Sequence, residues 1–254
     1  MKVIVTGSTG RLGSALTDAF ISAGHDVIPV DVRPPEVATT IPTRVIDLSQ
    51  IDGLHDLMRG ADVICHLGNL PGTQHSGRSK GFINNAAVNY NVFLAATEAG
   101  VRRIVYGSSV QAYGCFGHTS EHGPGVIVPP RYLPLDEDHP LHAADAYPLS
   151  KANGEWIAAS FCRGIADLTV WSLRYTGVQF LPLPQPNPRD GLPAPPTMIL
   201  GSMATWVHID DAIRATIMAC STDRPGHNPL NIVAPTGRRP WSEDVLVTAY
   251  GALP

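Results

Sequence analysis

Short runs of consecutive apolar residues alternate along the chain with stretches whose apolar positions recur every three or four residues. Runs of the first kind predict buried strands, and stretches of the second kind predict amphipathic helices. The predicted strands lie near residues 2–6, 26–31, 44–47, 61–67, 102–107 and 167–174, and the predicted helices near 11–23, 49–59, 80–99, 146–163 and 209–221. This alternation predicts an α/β fold with a doubly wound parallel sheet.

Four local features complete the prediction of elements. Pro29 lies in a strand that should be interior, where it lacks a ladder donor, so we expect a bulge or a short strand there. Residues 229–234 suit a last strand, and a short final helix begins at Ser242. The proline-rich segment from 181 to 196 is too stiff for a helix or an interior strand. It is interpreted as a loop or lid on the substrate side, with a partner-binding polyproline segment as the alternative.

The first strand enters a turn with glycines at 7, 10 and 13, which passes directly into the first helix. Glycines in this context let the backbone approach a diphosphate, whose charge the amides at the helix N-terminus can bind. The next strand ends at Asp31, about 20 residues on, where a carboxylate can accept hydrogen bonds from a ribose diol. A glycine-rich turn without a ligand explains the glycines alone, but the added context favours dinucleotide binding.

Tyr147 and Lys151 are four residues apart in a predicted helix, so their side chains share one face. Asp145 or a neighbour can cap this helix, and Pro148 suits its first turn. The same spacing is common on ordinary helices. The positive charges of Lys151 and of the oxidised nicotinamide of a bound dinucleotide together favour the phenolate form of Tyr147, which predicts a lowered pKa and a role as proton acceptor.

The segment from Thr6 to Gly13, taken with Tyr147-Pro148-Leu149-Ser150-Lys151, resembles the extended short-chain dehydrogenase/reductase superfamily, in its NAD-dependent epimerase/dehydratase group. The resemblance implies a Rossmann fold, NAD as cofactor, and catalysis by Ser109, Tyr147 and Lys151. It implies cofactor contacts from Gly7, Gly10, Arg11, Leu12, Gly13, Asp31, Asp47, Leu48, Leu67, Gly68, Asn89, Tyr147, Lys151 and Tyr175. It implies substrate contacts from Asn69, Gln111 and Arg174.

The same resemblance implies how the chain is divided and assembled. Residues 1–175, with 205–235 packed back onto them, would form the NAD-binding domain. A small substrate-binding cap would come from 176–204 and 236–254, and it would be unusually small or incomplete. A homodimer would form through the helices near 80–99 and 146–163.

Two departures from the family pattern bear on the substrate. Gly177 and Ala204 stand where sugar-nucleotide members generally have an Asn and an Arg that hold the diphosphate. Their absence favours a free sugar or a sugar acid, as in the uronate dehydrogenases of this group, with Arg174 serving a carboxylate. The other candidate arginines for binding a diphosphate are Arg189, Arg238 and Arg239. The alternatives are a nucleotide-sugar epimerase or dehydratase that recycles NAD within each turnover, and a noncatalytic NAD-binding regulator.

The charge and the composition of the chain narrow the classes of partner that it can bind. The formal net charge of −4 over 254 residues shows no basic field for nucleic acid or anionic membranes, and no apolar run reaches the length of a membrane span. The four cysteines lie far apart, which predicts free thiols. We therefore expect a cytoplasmic protein that binds neither nucleic acid nor membranes.

Residues 118–122 match the H-x-x-E-H zinc pattern, but the surrounding glycines predict an irregular loop and no metal site. His66, at a strand end, is interpreted as a satisfied structural histidine.

Overall fold

The computed structural model describes residues 1–37, 39–71, 78–115, 119–120, 123–124, 129–180 and 205–235. The helices are α1 (Arg11–Ser22), α2 (Leu54–Met58), α3 (Arg78–Glu98), α4 (Ala146–Gly164) and α5 (Ile209–Ser221). The strands of the main sheet are β1 (Lys2–Thr6), β2 (Asp26–Asp31), β3 (Arg44–Val45), β4 (Val63–His66), β5 (Arg103–Ser109), β8 (Thr169–Tyr175) and β11 (Gly226–Ile232). Four short strands lie outside that sheet: β6 (Thr119–Ser120), β7 (Gly123–Pro124), β9 (Gly177–Gln179) and β10 (Trp206–His208).

The main sheet has seven strands in the order β11-β8-β5-β4-β1-β2-β3, and all its pairings are parallel. Successive side chains of a strand face opposite sides. In β1, Ile4 packs into the core beneath α2, α3 and α4, while Val3 and Val5 pack toward α1 and α5. The predicted doubly wound parallel fold is confirmed.

The order of the strands in the sheet indicates where a ligand would bind. The chain builds β1, β2 and β3 outward in one direction and then returns to place β4 on the other side of β1. In open parallel sheets, ligands bind beyond the carboxyl ends of the strands at such a switch point. A ligand site is therefore expected at the loops that follow β1 and β4.

The expected bulge at Pro29 is not present. The register of β1 with β2 runs unbroken from Lys2 opposite Asp26 to Thr6 opposite Val30. On its other side, β2 pairs with β3 only at Val30 and Asp31. Pro29 thus precedes the part of β2 that has two partners, and a regular strand accommodates it.

Other differences from the predicted elements have local causes. The helix expected over 49–59 is confined to Leu54–Met58, since Gly53 takes the left-handed conformation just before it. The strand expected over 44–47 keeps only two residues, and the last strand begins at Gly226 rather than near 229. The parallel pair β9 and β10 was not predicted, because its partners are far apart in sequence.

Several expectations fall on residues outside the described ranges. These are the proline-rich segment, the final helix, Arg189, Ala204, Arg238, Arg239 and both histidines of the H-x-x-E-H match. Within the ranges that are described, no helix is long and apolar enough to cross a membrane.

Candidate active site

A cleft of about 950 Å³ opens at the carboxyl ends of the strands, next to the switch point. It brings together most of the residues that the sequence singled out. Those lining it are Gly7, Gly10, Arg11, Leu12, Gly13, Asp31, Asp47, Leu48, Leu67, Gly68, Asn69, Ser109, Gln111, Tyr147, Lys151 and Tyr175. Asn89 and Arg174 are not among its lining residues.

The glycine turn is shaped by close contacts that exclude side chains. A Cβ on Gly7 would lie 2.7 Å from the backbone of Leu67, and Gly7 itself has a φ of 70°. A Cβ on Gly13 would lie 2.0 Å from the carbonyl oxygen of Gly7. Gly10 caps α1 without a side-chain hydrogen bond, so the first amides of α1 remain available at the cleft. This geometry fits a diphosphate at the positive end of the helix.

Asp31 lies at the end of β2 with its carboxylate held in place. One oxygen accepts from the amide of Thr9 at 2.9 Å, and the other accepts from the amide of Val32 at 2.7 Å. The side chain is buried yet lines the cleft. Because a carboxylate offers about four acceptor positions, it can still bind a ribose diol. The glycine turn and Asp31 together fit a dinucleotide.

Ser109, Tyr147 and Lys151 come from two neighbouring elements. Ser109 ends β5, and its hydroxyl accepts from the amide of Gln111 at 3.2 Å. Asp145 caps α4 by accepting from the Ala146 amide at 2.8 Å, which starts the helix just before Tyr147. Ser109 hydrogen-bonds the phenol of Tyr147, and the ammonium of Lys151 lies 5.7 Å from the centre of the Tyr147 ring. The predicted catalytic residues are thus in mutual reach.

Burial sets the protonation states of Tyr147 and Lys151 in the protein without cofactor. Burial raises the pKa of Tyr147 to about 12, and the hydrogen bond with Ser109 offsets only part of that rise. Burial lowers the pKa of Lys151 to about 7, opposed by the charge of Glu155. The lowered phenol pKa expected for Tyr147 is therefore not produced by the protein residues alone. A positive charge brought into the cleft beside the phenol would be needed to lower it.

Asn89, an expected cofactor contact, lies beneath the cleft instead. Its side chain is fully buried and bonds His66 at 3.0 Å and Asn69 at 2.8 Å, both through its carbonyl oxygen. His66 is equally buried, and burial lowers its pKa to about 3, so it is neutral. Both residues form the floor under the cleft, which agrees with the structural interpretation of His66.

Arg174, expected to meet a substrate carboxylate, is committed to an internal ion pair. Its side chain is 4% exposed, and its guanidinium donates to Glu155 through Nε at 3.0 Å and through a terminal nitrogen at 2.7 Å. The other terminal nitrogen donates to the hydroxyl of Tyr113 at 2.7 Å. Glu155 and Tyr113 thus bind the guanidinium inside the fold, and Arg174 does not line the cleft.

Sequence reasoning missed several residues of the cleft wall. Lys80 and Asn84, one turn apart on α3, both line the cleft, as does Phe180, whose ring lies 3.9 Å from the guanidinium carbon of Arg11. The four-residue spacing of Lys80 and Asn84 was a usable signal, but it carried no motif. Among the described residues, no group of three or more His, Cys, Asp or Glu side chains could hold a metal ion.

The model of the NAD dependent epimerase/dehydratase family matches residues 3–180, which is more than half of the chain. The chain belongs to this family. It is an NAD-dependent enzyme of the extended short-chain dehydrogenase/reductase type. The matched region contains the glycine turn, Ser109, Tyr147 and Lys151, so the family match and the geometry of the cleft agree.

Two uronate dehydrogenases are among the similar proteins. The one from Pseudomonas syringae pv. tomato is 26% identical over 228 residues, which cover 89% of this chain and 72% of that protein. The one from Pseudomonas putida is 25% identical, over 100% of this chain and 83% of that protein. The structure of MoeE5 in complex with UDP-glucuronic acid and NAD is similar with a TM-score of 0.70 and 25% identity, covering 93% of this chain and 77% of that one.

Proposed function

We propose that this protein oxidises a free sugar acid with net transfer of hydride to NAD. The observation that carries the proposal is the similarity to two uronate dehydrogenases along most of their length. Ser109, Tyr147 and Lys151, which we propose as its catalytic residues, all line the cleft.

Three protein residues take part in the chemistry of this proposed reaction. The phenolate of Tyr147 takes the proton from the substrate hydroxyl, and Ser109 donates a hydrogen bond to the same oxygen. The ammonium of Lys151 favours the phenolate by its charge. NAD, when bound between the glycine turn and Asp31, supplies the hydride acceptor.

Lys80 is our candidate for holding the substrate carboxylate. Arg174 is not available for that role, because Glu155 pairs with it. Arg11 packs on Phe180, and Arg33 lines the cleft next to the Asp31 end. Lys80 is exposed at the cleft, and Asn84 offers an amide one turn further along the same helix face. A lysine and an amide together suit one carboxylate and its neighbouring hydroxyl.

A substrate screen tests the proposal. Hexuronates, neutral aldoses and nucleotide sugars are each supplied with NAD, and the appearance of NADH is followed by absorbance. We expect NADH to accumulate with at least one hexuronate. Turnover of nucleotide sugars without accumulating NADH would contradict the proposal.

That outcome would support the second candidate, a nucleotide-sugar epimerase or dehydratase. The observation in its favour is the similarity to MoeE5, which is described with UDP-glucuronic acid. Calorimetric titration with UDP alone separates the two, since a nucleotide-sugar enzyme should bind the diphosphate at micromolar concentration.

We also propose that the protein is a homodimer through the outer faces of α3 and α4. Ile83 and Tyr90 of α3 are 62% and 49% exposed, and Trp156 of α4 is 53% exposed. Large apolar side chains clustered on two packed helices are typical of an interface between protein chains.

A further inference from the structure

The ammonium of Lys151 donates hydrogen bonds to two oxygen atoms of the protein. Its Nζ donates to the side-chain carbonyl of Asn69 at 2.9 Å and to the backbone carbonyl of Gly107 at 2.7 Å. An ammonium carries three hydrogens, so one remains for the cleft. The direction of that third hydrogen depends on where the two acceptors lie. Gly107 is part of β5 and is fixed by the sheet, whereas Asn69 lies in the loop after β4 and must be fixed by other means.

A chain of directed hydrogen bonds fixes the Asn69 amide. Its Nδ2 donates to the carbonyl oxygen of Asn89 at 2.8 Å, and its Oδ1 also accepts from the hydroxyl of Tyr106 at 3.4 Å. Asn89 Nδ2 in turn donates to the Tyr106 oxygen at 3.3 Å. These bonds are mutually consistent only when the carbonyl of Asn69 points toward Lys151.

The chain continues to the glycine turn. The carbonyl of Asn89 can only accept, so Nε2 of His66 carries the hydrogen at 3.0 Å and its Nδ1 accepts from the Thr6 hydroxyl at 2.7 Å. The Thr6 oxygen then accepts from the amide of Gly68 at 3.1 Å. Because His66 stays neutral, it keeps this direction across ordinary pH.

We infer that Asn69 is a positioning residue for Lys151: its side-chain carbonyl, fixed by Asn89 and Tyr106, sets where the ammonium lies and stabilises its charge. Asn69 was expected to contact substrate, and this role is a different one. The inference rests on the proposed function only in assigning Lys151 to the catalytic set. An acceptor next to a buried ammonium favours its charged form.

Four other titratable residues face Lys151, and none of them is substituted in the test. Tyr147 and Glu155 lie on its own helix, Tyr106 approaches from β5 with its ring centre 5.3 Å from Nζ, and His66 lies on β4. Burial lowers the pKa of Lys151, and Glu155 opposes that change. A variant at position 69 changes the acceptor of Lys151 together with the bonds of Asn69 to Asn89 and Tyr106, and it retains all the titratable groups named here.

The chain contains three lysines, Lys2, Lys80 and Lys151, which permits a direct measurement. Lysine is labelled with carbon-13 at Cε in the full chain, and the three signals are titrated with pH by NMR. The Lys151 signal is assigned from Lys151→Met. In the parent protein we expect Lys151 to titrate near 7, well below the ordinary range of a lysine side chain.

Two variants move this titration in opposite directions. Asn69→Ala removes an acceptor and should lower the Lys151 pKa by about one unit. Asn69→Asp has nearly the same shape and adds a negative charge, which should raise it by about one to three units. If Asn69→Ala does not fold, Asn69→Asp still tests the inference.

Asn228→Ala is the matched control. Asn228 is a buried amide that bonds the backbone carbonyls of Arg224 and Gly226, away from the cleft lining. It should leave the Lys151 titration unchanged. An unchanged Lys151 titration in the folded position-69 variants, or an equal shift in Asn228→Ala, would overturn the inference. The measurement needs no substrate, so failure to oxidise sugar acids would refute the proposed function alone.

Discussion

Replacing Tyr147 with phenylalanine removes one oxygen atom from the cleft and little else. We expect Tyr147→Phe to lower kcat on the identified substrate by at least about 10²-fold, because it removes the proton acceptor. The dissociation constant for NAD should change little, since the ring and its contacts remain. Steady-state kinetics and calorimetric titration with NAD measure the two effects.

Tyr132→Phe is the control for loss of a phenol oxygen. Its hydroxyl donates to Asp136 at 2.6 Å in the loop before α4 and does not line the cleft. This variant should retain most of the activity. A Tyr147→Phe enzyme with more than about a tenth of the parent rate would remove Tyr147 from the proton transfer.

Lys80 provides a test of substrate charge. Lys80→Met keeps most of the length of the side chain and removes the ammonium, so KM for a hexuronate should rise by about tenfold, the effect of one charge-assisted hydrogen bond. KM for a neutral aldose should stay the same. Lys2→Met is the control, because Lys2 donates to the carbonyl of Arg59 away from the cleft lining. An equal change in KM for charged and neutral substrates would show that Lys80 does not bind the carboxylate.

Among single residues, the sequence predicted the cleft residues whose placement depends on local spacing and misplaced those whose partners are distant in the chain. The glycines at 7 and 13 and the pair Tyr147 and Lys151 act through local geometry, which spacing encodes. Arg174 and Asn89 instead depend on partners distant in the chain. Arg174 turns inward because Glu155 is buried beside it, and no local pattern identifies that partner.

At the scale of elements, the contact between α4 and β5 has no room for an added methyl group. A Cβ on Gly154 would lie 2.3 Å from the hydroxyl oxygen of Tyr106. Alanine is favoured over glycine in helices by about 1 kcal/mol. Even so, Gly154→Ala should lower the free energy of unfolding by about 1–3 kcal/mol, because overpacking displaces the Tyr106 ring. Chemical denaturation measures this change.

Gly164→Ala is the matched control at the end of the same helix. Nothing lies within 4 Å of a Cβ there, so only helix propensity acts, and the variant should be as stable as the parent or slightly more so. A Gly154→Ala protein at least as stable as Gly164→Ala would show that α4 can move away from β5.

The elements themselves were predicted well where their periodicity is strong. Helix α5 spans the predicted residues 209–221, and its buried positions Ala212, Thr216 and Ala219 follow the helical period. The prediction was wrong about the start of α2, and it missed the pair β9 and β10. Gly53 delays the start of α2, and β9 and β10 are strands only because they pair with each other across a long stretch of chain. Such pairing is set by tertiary structure rather than by local sequence.

At the scale of the whole molecule, the two faces of the sheet differ in what they leave exposed. Helices α3 and α4 pack on one face and expose Ile83, Tyr90 and Trp156. Helix α5 packs with α1 on the opposite face, where Met218 is 63% exposed. A two-fold dimer buries the same patch from both copies, so a few large apolar side chains supply a self-complementary centre.

We therefore expect light scattering at micromolar concentration to give a mass of about twice the 27.1 kDa of one chain. The double variant Tyr90→Glu/Trp156→Glu should be monomeric, because a symmetric interface would place like charges from both copies together without solvent. Met218→Glu adds one such charge at a similarly exposed position on the other face and should remain dimeric. A monomeric parent, or a double variant that stays dimeric, would show that α3 and α4 face solvent in the working enzyme.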